Sequence, residues 1–177
     1  MSISQLKKIL PPPESPTEVP TRPAWKKIEK EVGVRLPNDY KEYVQAYGTG
    51  TICEFLIISN PFSSQEGFAL ISTLELAIQT LSQLKKTEGD DQVPFDIHPT
   101  RPGLLAFGGD ENGNGLYWLT DGEPDSWPCV IGQGRGKKWE QYDITMAEFL
   151  CQVISKEIRS AIWPKTFPKK GCQFRSC

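Results

Sequence analysis

Apolar side chains recur at helical spacing from the start of the chain, where Ile3, Leu6, Ile9 and Leu10 outline a short amphipathic helix over Ser2 to Leu10. The stretch "PPPESPTEVP" then removes backbone donors and pushes each residue before a proline out of the α region, so it reads as an extended spacer. Trp25, Ile28 and Val32 resume the helical period, and Gly33 is placed to cap it. Tyr40, Tyr43, Val44 and Tyr47 share one face of a further helix, which Pro37 opens and Gly48 stops. Asp39 and Glu42 lie near its positive end. A tyrosine stripe of this kind belongs to a core rather than to a ligand box.

"TICEFLIIS" is rich in β-branched residues and predicts one strand, ended by Asn60-Pro61. Ser72-x-x-Glu75 has the form of a capping box and opens a helix through Leu74, Ile78, Leu81 and Leu84. After a polar loop (Thr87 to Pro102) the period shortens. "LLAFGGD", "GLYWLT", "WPCVIGQ" and "WEQYDI" are β-type runs separated by Gly, Asn and Asp, the spacing of an antiparallel meander. Thr145-x-x-Glu148 opens a last helix with Met146, Phe149, Leu150, Val153 and Ile154 on one face. The order predicts an α+β domain: a mostly antiparallel sheet of about five strands, with helices packed on one side.

A chain of 177 residues fits one domain with length left for tails. It can bury roughly 70% of the surface its unfolded form exposes, so neither metal nor disulfide is required to hold it. The five cysteines (Cys53, Cys129, Cys151, Cys172 and Cys177) are odd in number and show no C-x2-C spacing. With no secretory segment at the N-terminus and no apolar run near 18 residues, the expectation is a cytoplasmic protein with reduced thiols and no membrane partner. A net charge of −2 gives no reason to expect direct binding of nucleic acid. That total conceals an uneven distribution. Between Pro102 and Gly134 there are five acids (Asp110, Glu111, Asp121, Glu123 and Asp125) and no Lys or Arg. After Glu157 there are no acids but five bases, Arg159, Lys165, Lys169, Lys170 and Arg175.

Chemistry-bearing patterns are few. Asp110, Asn112, Asn114, Gly115 and Asp121 nearly reproduce the spacing of a calcium loop. Such a loop is held between helices, whereas these residues lie in and between β-type runs. Gly113-Asn114-Gly115 after Glu111-Asn112 is instead what a hairpin turn needs, because Gly and Asn accept positive φ at little cost. "GQGRGKKW" resembles a phosphate cradle but is followed by a strand rather than a helix N-terminus, so it reads as another glycine-rich turn. The single histidine, His98, has no cysteine placed beside it by the sequence, and no G-x-S-x-G elbow occurs. The acidic block admits an acid/base pair as an alternative, but acidic turns at a solvated sheet edge are commoner. No cofactor and no catalytic residue are assigned, and the expectation is a protein that is not an enzyme.

The whole pattern resembles the SUKH superfamily, the Smi/Knr-like domains. There an early Trp, an LP-x-D-Y helix start and a G-x-G exit recur, as in "VGVRLPNDYKEYVQAYGTG" after Trp25, and an NP turn follows as at Asn60-Pro61. "FGGDENGNGLYWL" is similar to that group's central hairpin and "FLCQVI" to its closing helix. The resemblance divides the chain into an N-terminal helix and Pro-rich spacer (1–21), a Smi/Knr-like domain (22–160) and a basic tail (161–177). It implies an α+β fold and, for bacterial members, the role of an immunity protein that binds and neutralises a cognate toxin, often a nuclease. Other members are regulatory scaffolds in cell-wall signalling. The resemblance carries no contact residues with it.

The contact surface is therefore read from charge. Nuclease toxins carry basic grooves, and the acids Asp110, Glu111, Asp121, Glu123 and Asp125 are placed to steer toward one. Asp110–Glu111 and Asp121–Asp125 fall at opposite ends of one hairpin. Trp118 and Trp127 are anchors if exposed and core if not.

Overall fold

A computed structural model describes residues 2–21 and 24–177. The domain boundary read at Arg22 lies outside the described residues. The helices are α1 (Ile3–Ile9), α2 (Ala24–Val32), α3 (Asn38–Tyr47), α4 (Leu70–Glu88) and α5 (Met146–Ile154). The strands are β1 (Gly50–Ile52), β2 (Leu56–Ile58), β3 (Leu104–Asp110), β4 (Gly115–Leu119), β5 (Cys129–Gly132), β6 (Trp139–Tyr142) and β7 (Phe174–Ser176). They form one antiparallel sheet in the order β6-β5-β4-β3-β2-β1-β7. The α+β class and the antiparallel meander are those the sequence predicts.

The sheet has seven strands rather than about five, for two reasons. "TICEFLIIS" is not one strand but a tight hairpin, because Cys53 and Glu54 both take positive φ (55° and 54°) and Phe55 N–H closes on Ile52 O at 3.0 Å. Neither residue type announces that conformation. The second addition is the tail, whose last residues pair with β1 through Gly50↔Ser176 and Ile52↔Phe174. Cys172, two residues before that strand, is bonded to Cys53, so the reduced-thiol expectation fails for this pair. Cys129, Cys151 and Cys177 are free.

Alternation along β4 sorts the helices. Trp118 points to one face and meets Tyr40 of α3 at 5.1 Å, and Tyr142, on the same face through Cys129, meets Phe149 of α5 at 5.4 Å. Tyr117 points to the other face and lies beneath α4, beside Thr73, Leu76 and Ala77. So α3 and α5 cover one face, and α4 covers the opposite one. An apolar stripe establishes that a helix packs but not on which side, and the one-sided arrangement expected for all helices does not extend to α4.

The two ends of the chain belong to the body. Ile3 and Leu6 of α1 and its C-cap Leu10 are buried, α1 packs on α5 and α3, and Tyr47 donates its hydroxyl to Leu10 O at 2.7 Å. The Pro-rich stretch forms no helix or named strand, bends at Glu14–Ser15 and at Glu18, whose φ is 55°, and is strapped down. Thr17 runs past Gly48, whose φ of 65° ends α3, and a Cβ there would stand 2.0 Å from Thr17 O. Glu18 accepts from Thr49 Oγ1 at 2.6 Å and from both N and Oγ of Ser64 at 2.7 Å.

Candidate partner-binding surface

The β3–β4 hairpin is built by Asp110. Its carboxylate accepts from the backbone N–H of Asn112 (2.9 Å) and Asn114 (3.0 Å) and from Asn114 Nδ2 (2.8 Å), while Gly113 turns the chain at φ 81°. Asn114 Oδ1 accepts in turn from Gly134 N–H at 3.0 Å and joins this tip to the next glycine-rich turn. A carboxylate so engaged, and 8% exposed, organises the turn and presents little to a partner. Glu111 beside it is exposed. Asp121 lies beyond the far end of β4, which separates it from Asp110 by about 17 Å of strand. The near-calcium spacing is thus spread along a strand, not folded into a loop.

At that far end the chain makes a short 3-10 turn over Pro124–Ser126. Asp125 is turned inward to α3. Its carboxylate accepts from Asn38 N–H (2.7 Å), Asn38 Nδ2 (3.0 Å) and Arg35 (2.9 Å). Partial burial alone would raise the Asp125 pKa, but the Asn38 N–H and the Arg35 guanidinium outweigh it and hold the carboxyl below its usual value. Glu123 stands 3.5 Å from the same arginine with its side chain largely in solvent, and Asp121 is exposed.

Neither tryptophan is an anchor. Trp118 is 0% and Trp127 1% exposed, their rings lie 6.1 Å apart, and Trp127 donates Nε1–H to Gly122 O at 3.2 Å. They are core, because inward alternation along β4 and the closing of the acidic turn both direct these rings under α3. Arg101 lies over Trp127, with its guanidinium carbon 5.7 Å from the ring centroid. Of the seven residues proposed, Glu111, Asp121, Glu123 and Asp125 are exposed, the last with its carboxylate engaged by Asn38 and Arg35, and they sit at opposite ends of the hairpin rather than in one patch.

A surface feature that charge patterning missed lies between α4 and the sheet. A groove of about 580 Å³ runs there over Gly109 and Gly115, with Tyr117 on its floor and Glu66 and the hairpin tip along its border. Leu76, 65% exposed, stands at its α4 wall. The signal was present in the sequence, since Leu76 falls off the Leu74/Ile78/Leu81 stripe and had no core to enter.

The histidine and two of the three free thiols are held inside. His98 is buried with Nε2 2.9 Å from Val32 O, and burial lowers its pKa. Burial pushes the thiols of Cys129 and Cys151 up, away from the reactive thiolate. "GQGRGKKW" is the β5–β6 turn, and Gly136 O accepts from Gln92 Nε2 at 2.9 Å.

These elements define an α+β domain that presents a groove under α4 and two acidic turns. The chain belongs to the SUKH_6 family, described as SMI1-KNR4 cell-wall, whose model matches residues 23–150. No curated protein and no solved structure matches it. Among the described residues no helix is long and apolar enough to cross a membrane.

Proposed function

We propose that this protein is a binding module without turnover of its own: an immunity protein that holds a cognate toxin, a nuclease among the fitting classes, in the cytoplasm. The observation that carries this reading is the groove under α4. It offers a partner's side chain a recess floored by glycine backbone, an exposed leucine at its wall and the exposed carboxylate of Glu66 at its border, with Glu111 following the lining residue Asp110 in sequence. An exposed apolar group within a polar rim is the arrangement of an interface anchor, and the acids suit a basic partner. The internal placement of His98 and of the free buried thiols supports a binding role over a catalytic one.

The test is co-expression with the product of the adjacent reading frame. Growth rescue together with a stable complex supports immunity, and rescue without a complex, or neither, sinks it. The family's cell-wall description favours a second reading, a regulatory scaffold in cell-wall signalling. An isolated gene in a walled eukaryote is the outcome that selects it.

A further inference from the structure

Beyond the residues that the family model matches, the chain folds back over the end of α5 and encloses a separate cavity of about 320 Å³. Its walls are apolar, built by Val153 of α5 with Ile158, Trp163 and Phe167. Aromatic packing fixes this wall: Trp163 meets Phe167 edge-on at 5.2 Å and Phe149 at 6.1 Å, and Phe167 lies 4.4 Å from Phe55. Arg159 and Lys165 line the same cavity and are exposed. Neither forms an ion pair with a described residue, not even Arg159 with Glu157 two positions before it. The carboxylate that reaches this wall, Glu140, is engaged by Ala161 N–H at 2.8 Å and by the Tyr142 hydroxyl at 2.6 Å. The indole N–H of Trp163 is buried and has no acceptor.

We propose that this cavity binds a small organic anion, with its apolar body against Trp163 and Phe167 and its carboxylate between Arg159 and Lys165. The volume lies at the low end of ligand pockets, which span roughly 300–1,000 Å³, so it suits a small molecule rather than a chain segment. Two free cations at an apolar recess distinguish an anion from its neutral analogue, because charge-assisted hydrogen bonds are made by one and not by the other. The site is independent of the groove under α4, and its failure leaves the immunity reading untouched.

Titration of the full chain with 4-phenylbutyrate, followed by calorimetry and by the indole resonances in NMR spectra, tests it. Saturable binding that shifts the Trp163 indole is expected, with the neutral amide of the same acid at least about tenfold weaker. The double variant Arg159→Ala/Lys165→Ala, two exposed positions, should bind the acid no better than the amide. Absence of saturation at millimolar acid, equal binding of acid and amide, or equal response to inorganic phosphate overturns the proposal. So does a double variant that binds like the parent.

Discussion

The carboxylate of Asp125 accepts the backbone N–H of Asn38 at 2.7 Å and so caps α3 from a loop 87 positions away. Pro37 occupies the N-cap position without a capping side chain, and the first turn depends on this remote acceptor. The device repeats at α5. Asp39, in the first turn of α3, accepts from Ala147 N–H at 2.8 Å, where Thr145 leaves α5 without a side-chain cap. Two helices and the acidic turn are thereby fixed to one another by carboxylates that the sequence presented as surface charge.

Asp125→Ala should destabilise the domain by about 1–2 kcal/mol, the cost of losing an N-cap. Urea unfolding measures it, with an unchanged slope showing that the fold is the same. The acid limb gives a second reading. Because the folded state depresses this carboxyl below 3.8, its contribution is present above that value and disappears as pH falls through the folded pKa. Asp125→Asn should remove that part of the limb. A variant as stable as the parent at neutral pH would refute the cap.

Much of this was legible in the chain and some was not. The stripe Tyr40, Tyr43, Val44 and Tyr47 is buried as its spacing predicts, and Gly33 and Gly113 take the positive φ their positions call for. Ser72-x-x-Glu75 misled: α4 starts two residues earlier, at Leu70, and puts Ser72 inside its first turn. What stayed hidden depended on partners remote in sequence. Asp125 and Glu111 carry similar charge in a similar turn, yet one is committed to Asn38 and Arg35 while the other is free, and only the fold decides between them. Leu76 was the converse case, an apolar residue whose exposure its helical phase already implied.

Trp118→Ala and Trp127→Ala should each cost about 3–5 kcal/mol, since both empty a fully buried position. A partner should then bind the folded fraction of each variant as it binds the parent. A Tm close to the parent's with selectively weakened binding would restore these rings as anchors.

Under the immunity reading, Leu76→Asp and Glu111→Lys should weaken the toxin complex at least about tenfold with no change in Tm, since both side chains are exposed. Asp121→Lys/Glu123→Lys lies at the other end of β4 and should act mainly on the association rate, with a steep dependence on salt. A reversed ranking, measured by biosensor kinetics, would move the interface to the acidic turn.

The Cys53–Cys172 bond staples the tail to the β1–β2 hairpin across 119 positions. Denatured but unreduced protein should show three thiols to alkylation, those of Cys129, Cys151 and Cys177. Cys172→Ser should cost about 2–4 kcal/mol, with hydrogen exchange rising first where Cys53 N–H meets Gln173 O and along the β1–β7 pairing. Five reactive thiols in freshly isolated protein would return the chain to the reduced state its sequence suggested. That result would also favour the cytoplasmic proposal, because such bonds persist mainly in oxidising compartments.

Glu18 gives the N-terminal strap its own pH dependence. Burial alone would raise its pKa, but hydrogen bonds from Thr49 and Ser64 prevail and lower it from 4.5 to about 2. A depressed carboxyl stabilises the folded state above its unfolded value, and that contribution fades as pH drops from 4.5 toward about 2. The Ser64 amide should therefore lose protection through this window before the sheet does. Glu18→Gln should reproduce the loosened strap at neutral pH, because the amide keeps the shape and removes the charge that strengthens these bonds. Limited proteolysis within residues 11–20 reads the release directly. Equal cleavage of parent and variant would show that the prolines and the Thr17 contact with Gly48 hold the strap without Glu18.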